Sequence, residues 1–100
     1  MEKRTPHYSL PVIQSRIAEQ GIIVFTATAL FNAAVMGLSV EQALGLLASL
    51  SRSMFYKSMS TYADSSIWQD VYHAPIFNGK IAYIKLTLNQ GAVVIQFKEK

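Results

Sequence analysis

Tyr83 and Lys98 are the residues whose types and spacing most directly offer chemistry. A phenol can give or take a proton and an ammonium can balance developing negative charge, so a neighbouring pair of this kind suits reaction at a phosphate. The pairing follows from alternation. In Ile81-Ala82-Tyr83-Ile84-Lys85-Leu86-Thr87-Leu88, one strand face takes Ala82, Ile84, Leu86 and Leu88 and the other takes Tyr83, Lys85 and Thr87. Val93-Val94-Ile95-Gln96-Phe97-Lys98 repeats the pattern, with Val93, Ile95 and Phe97 inward and Gln96 and Lys98 outward. Asn89-Gln90-Gly91 supplies the turn. A three-residue loop would pair Leu88 with Ala92 and set an inward row against an outward one, a slip that buries the wrong face. A turn centred on Gln90-Gly91 instead pairs Leu88 with Val93, Leu86 with Ile95, Ile84 with Phe97, Lys85 with Gln96 and Tyr83 with Lys98. Directly opposed side chains then have Cβ atoms about 4.5–5.5 Å apart.

The elements that hold this hairpin follow from caps and periodicity. Ser9 caps a helix over about 10–20, with Pro11 in its first turn, Leu10, Ile13 and Ile17 on one face and Gly21 as its stop. Ile22-Ile23-Val24-Phe25 reads as a short buried strand or extended link. A second helix over about 27–36 starts near Thr26 or Thr28, buries Leu30, Ala33, Ala34 and Val35, and ends at Gly37. Ser39 and Gln42 form a capping box for a third helix reaching about Leu50. Strands follow from Met54 to Thr61, from Val71 to Ile76 and through the hairpin, with Ala63 to Gln69 a loop or single helical turn and Pro75 an edge or an end. The expected fold class is α+β, with N-terminal helices packed on a C-terminal antiparallel sheet in one domain over residues 1–100.

With 51% hydrophobic and 15% charged residues, the 100-residue chain has the material for a real core. It contains no cysteine, which excludes a disulfide framework and cysteine-based zinc sites and fits a reducing cytoplasm. Its start lacks the apolar stretch of a secretory signal. Residues 21–40 carry no charge, but Gly21, Thr26, Thr28, Asn32, Gly37 and Ser39 break the run where caps and turns belong, so it reads as buried helix and no membrane contact is expected. Arg52, Lys57, Lys80, Lys85, Lys98 and Lys100 all fall in the second half, which makes a polyanionic partner plausible. Metal-dependent nuclease chemistry is not expected, since Asp64, Asp70 and Glu99 have no matching histidine set.

The stretch Phe55-Tyr56-Lys57-Ser58-Met59, then Thr61-Tyr62, Ile67-Trp68-Gln69-Asp70-Val71-Tyr72, Tyr83-Ile84-Lys85 and the terminal Phe97-Lys98-Glu99-Lys100, resembles the motility quorum-sensing regulator (MqsR) toxin family, as does the opening Met1-Glu2-Lys3-Arg4-Thr5-Pro6-His7. The likeness covers nearly the whole chain and is weakest from Leu10 to Leu50. It implies a type II toxin with a RelE-like fold, an mRNA endoribonuclease that cleaves at short GC-containing sequences and arrests growth. It also implies a cognate antitoxin with a zinc-binding N-terminal part and a helix-turn-helix C-terminal part, through which alone DNA would be reached. Carried over by position, the family's active-site lysine falls on Lys57, its glutamine on Gln69, its tyrosine on Tyr83 and its C-terminal lysine on Lys98. The chain departs from the family pattern at Tyr72-His73-Ala74-Pro75-Ile76-Phe77, where an arginine is expected after the tyrosine, and in an extra residue before Tyr83.

Cutting RNA without a metal needs a base for the 2′-hydroxyl proton, an acid for the leaving 5′-oxygen and cations for the phosphorane charge. Lys57 and Lys98 can supply charge, Tyr83 can transfer a proton where a neighbouring ammonium favours its phenolate, and Gln69 can orient phosphate or base. Lys85, His7 and Tyr56 are candidates for RNA binding. Each residue also has a plainer reading. His7 beside Pro6 suits a surface or capping histidine with proton transfer as a second role, and His73 suits a satisfied strand histidine. Trp68 suits a core anchor, and Tyr56 and Tyr62 share a strand side and suit packing. Lys57 shares its strand side with Phe55 and Met59, and pattern alone does not say which face is core. A non-catalytic module that holds RNA or an antitoxin is the alternative function.

Overall fold

Hydroxyl side chains start all three helices of the computed structural model, which describes residues 1–61, 64 and 66–100. Helix α1 (Leu10–Gln20) is capped by Ser9, α2 (Ala27–Val35) by Thr26, and α3 (Val40–Ser49) by the reciprocal Ser39–Gln42 box, each of which satisfies backbone N–H groups left over at a helix start. The side-chain amide of Gln14 donates to the carbonyls of Leu47, Ala48 and Leu50 and so ties α1 to the end of α3.

Two helical-half expectations are corrected. Residues Gly21–Val24 form a 3-10 turn and not a strand, with Ile22 50% and Ile23 76% exposed and only Val24 and Phe25 buried. At its end Phe25 makes a single parallel bridge to Ile95, and the Thr26 N–H donates to the Ile95 carbonyl. In and just after α2 the buried stripe is Ala29, Ala33 and Met36, with Leu30 half-buried, while Ala34 and Val35 are exposed. At 3.6 residues per turn, positions 34 and 35 rotate away from the 29–33–36 line.

Five strands form an antiparallel meander in the order β1-β2-β3-β4-β5. They are β1 (Glu2–Lys3), β2 (Phe55–Ser60), β3 (Trp68–Pro75), β4 (Ile81–Asn89) and β5 (Ala92–Glu99). Met54 belongs to a 3-10 turn before β2, and β3 starts at Trp68, so Trp68 and Gln69 are strand and not loop. The β4–β5 register is the expected one throughout, from Leu88 opposite Val93 to Tyr83 opposite Lys98. Gln90 and Gly91 both have positive φ, 52° and 83°, as a two-residue hairpin turn requires.

The helices cover one sheet face. Tyr72, Ala74, Ala82, Ile84, Leu86, Val93, Ile95 and Phe97 pack there with Ile13, Ile17, Ala33 and Leu47 in one buried cluster. Asp70 lies on that face, opposite Leu86, and is 1% exposed. It accepts hydrogen bonds from the Ser58 hydroxyl at 2.6 Å, the His7 N–H at 3.0 Å and the Tyr8 N–H at 2.9 Å, which anchors the N-terminal segment across the sheet. The opposite face carries Lys57, Gln69, His73, Tyr83, Lys85, Gln96 and Lys98; Val71 and Thr87 also lie on it and are buried. Among the described residues no single helix is long and apolar enough to cross a membrane, and α2 and α3, which pass together on length and composition, are bent by 97°.

Candidate active site on the open sheet face

Register brings Tyr83 and Lys98 together, with the ammonium nitrogen 5.0 Å from the centre of the phenol ring, within cation–π range. The same rung continues across the sheet. His73 pairs with Tyr83 and their ring centres are 5.3 Å apart, and Tyr56 stacks on His73 at 4.4 Å with 24° between the planes. Lys57 closes the row, its Nζ 5.4 Å from the Tyr56 ring.

A β-bulge makes the β2 end of this row. Pairing shifts between Phe55, which opposes Tyr72, and Lys57, which opposes Val71. The inserted residue, Tyr56, lets Phe55 face the core and meet Tyr72 edge-on at 5.5 Å while Lys57 faces outward. The regular-strand reading, with Phe55 and Lys57 on one side, is therefore corrected; Lys57 and Met59 do share a side. Gln69 opposes Met59 and lies two residues from Val71, so it occupies the same open face. Lys57, Gln69, Tyr83 and Lys98 thus share one surface, contributed by β2, β3, β4 and β5 in turn.

The cations differ in setting. Lys57 Nζ is 2.6 Å from a Glu2 carboxylate oxygen, and this hydrogen bond raises the lysine above its ordinary pKa and lowers the glutamate below its own. Lys57 is therefore a held positive charge and a poor base. Lys85 and Lys98 form no ion pair among the described residues. His73 is shifted the other way: burial, with Lys100 adding to it, lowers its pKa and favours the neutral ring. Its Nε2 is buried and has no hydrogen-bond partner among the described residues, so it is not the satisfied strand histidine expected. Alternation along Val71-Tyr72-His73-Ala74 was the signal that could have assigned it to the Tyr83 row.

Other candidates separate from this surface. His7 lies on the helix side, where its ring stacks on Trp68 at 5.4 Å and its Nδ1 is 3.0 Å from Lys3 Nζ. Trp68 is half-buried and outside the core cluster, because it opposes Ser60 at the end of β2 and is covered by His7 and by Lys3, 4.2 Å over its ring. Tyr72 is buried and core-facing, and burial together with Asp70 pushes its phenol up to about 12. Tyr62 falls outside the described residues. Among the described residues no group of three or more His, Asp and Glu side chains is arranged to hold a metal ion.

Comparison with known proteins gives the family. The model of the family described as "Motility quorum-sensing regulator, toxin of MqsA" matches residues 5–99. The chain is also 41% identical over 100 residues to the mRNA interferase toxin MqsR of Escherichia coli (strain K12), covering 100% of both chains. With the match running through every strand of the open face, this chain belongs to the motility quorum-sensing regulator toxin family.

Proposed function

We propose that this chain is a growth-arresting toxin of a type II toxin–antitoxin pair, an endoribonuclease that cuts messenger RNA in the cytoplasm with Lys57, Gln69, Tyr83 and Lys98 as its active-site residues. The observation that carries the reading is that four successive strands present these four side chains on one open face, with Lys57, Tyr83 and Lys98 joined in a row by Tyr56 and His73, and Gln69 four residues along β3 from His73. In the reaction the 2′-oxygen loses its proton, forms a bond to phosphorus and expels the 5′-oxygen, which is protonated as it leaves. The products are a 2′,3′-cyclic phosphate and a 5′-hydroxyl. Lys57, kept charged by Glu2, and Lys98 balance the charge of the five-coordinate phosphorane. Tyr83, between Lys98 and His73, handles a proton, and Gln69 orients the phosphate or an adjoining base by hydrogen bonds.

Family membership supports an antitoxin of the MqsA kind as partner, with a zinc-binding part and a helix-turn-helix part through which the pair reaches DNA. It supports GC-containing cleavage sites in the same way. The test is incubation of the purified chain with mixed RNA in EDTA. Discrete fragments with 5′-hydroxyl ends are expected; RNA that is retarded but intact would favour the non-catalytic binding module.

A further inference from the structure

A cleft of about 410 Å³ opens beside Tyr83 and Lys98, between the open face of the β4–β5 hairpin and the first turns of α2. Its two walls differ in chemistry. On the sheet side Lys85 and Lys98 flank Tyr83, and neither lysine is engaged by a carboxylate among the described residues. On the helix side stand Thr28 and Asn32, from a helix without a single charged residue, and Gln96 adds a neutral amide from β5. The helix wall is fixed to the strand it faces. The Thr26 N–H donates to the Ile95 carbonyl at 3.2 Å, and the Asn32 amide donates to the Phe97 carbonyl at 2.9 Å, while Asn32 Oδ1 accepts no hydrogen bond among the described residues.

We propose that this cleft is the subsite for the nucleotide adjoining the scissile phosphodiester, with Lys85 and Lys98 on its phosphates and Thr28, Asn32 and Gln96 reading the edge of its base. The inference rests on the ribonuclease reading and extends it to α2, whose residues had no functional assignment. The volume falls within the roughly 300–1,000 Å³ of small-ligand sites, enough for a nucleotide and far too narrow for a duplex. Separate cationic and neutral walls match the two halves of a nucleotide: cations engage phosphate through charge, whereas hydroxyl and amide groups discriminate donors from acceptors on a base. A base can present its edge here only when unpaired, so the substrate is single-stranded at this position.

The experiment compares the wild type with Thr28→Val/Gln96→Ala and with Lys85→Gln on single-stranded oligoribonucleotides carrying one cleavage site and an abasic nucleotide at each flanking position in turn. Thermal unfolding of each variant confirms folding. For the wild type, removal of one particular adjoining base is expected to lower kcat/KM by about 5–100-fold, the range for lost base-directed hydrogen bonds. The double variant should show the same loss on the intact substrate, no further loss on that abasic one, and a relaxed sequence preference at that position alone. Lys85→Gln should raise KM and flatten its salt dependence without altering the preference. Wild-type cleavage with unchanged variants would overturn the subsite and leave the ribonuclease reading intact. An uncleavable oligonucleotide with a 2′-deoxy group at the cut position reads the cleft without the reaction. A Kd weakened in the variants supports the subsite even in the absence of cleavage, and an unchanged Kd overturns it.

Discussion

Glu2 and Lys57 form an ion pair of 2.6 Å that joins the first strand of the sheet to the second. The N-terminal strand thus supplies a counter-charge to a proposed active-site cation, and an RNA phosphate approaching Lys57 meets a carboxylate already in place. Glu2→Gln removes that competitor. Its expected effect is a fall in KM of a few-fold at low salt that shrinks as ionic strength rises, with Tm little changed, because exposed pairs contribute little to stability and are screened by salt. Steady-state cleavage at two salt concentrations checks this, and a raised KM would show that Glu2 positions Lys57 instead.

Asp70 predicts a purely structural effect. It is buried and accepts three hydrogen bonds from groups at least twelve residues away in sequence. Asp70→Ala strands the His7 and Tyr8 N–H groups and the Ser58 hydroxyl, at about 1–3 kcal/mol for each that stays buried and unpaired. Urea unfolding should show a loss of about 3 kcal/mol or more. A variant as stable as the wild type would mean that water replaces the carboxylate.

How much of this was legible in the sequence depended on what each strand buries. The hairpin was readable to the residue because both strands alternate without a break and the turn admits one register, which gave Tyr83 and Lys98 directly. Trp68 to Asp70 was not, because the core-facing residue there is a carboxylate, satisfied by backbone from the other end of the chain. The bulge at Tyr56 hid for a different reason: Phe55, Lys57 and Met59 look like one regular row, and only pairing with β3 shows that the row breaks. β1 has two residues, too few for any period to register. Family likeness supplied Lys57 and Gln69, which alternation alone could not assign to the open face.

His73 gives a pH dependence of stability. Its folded pKa is lowered from 6.5 by burial first and by Lys100 second, within a row that also contains Tyr56, Tyr83, Lys57 and Lys98. Between 6.5 and that lower folded value the unfolded chain binds more protons than the folded one, so His73 makes stability fall as pH drops through this window and level off below it. His73→Phe keeps a ring in the stack and removes the titration. The difference between wild-type and variant urea midpoints, followed from about pH 8 to about pH 5, should move against the wild type on acidification. A difference independent of pH would assign the slope to other groups.

Whether Tyr83 and Lys98 act as a unit on RNA is measured directly by a double-mutant cycle on cleavage rate. Tyr83→Phe and Lys98→Ala should each lower kcat/KM by about 10²–10⁴ with little change in Tm, since both side chains lie on the open face. Combined, they should be little worse than the poorer single variant, as expected when a proton-transferring phenol and its neighbouring cation serve one step. Wild-type cleavage in both single variants, or losses that follow unfolding in parallel, would contradict the claim that this face is the active site.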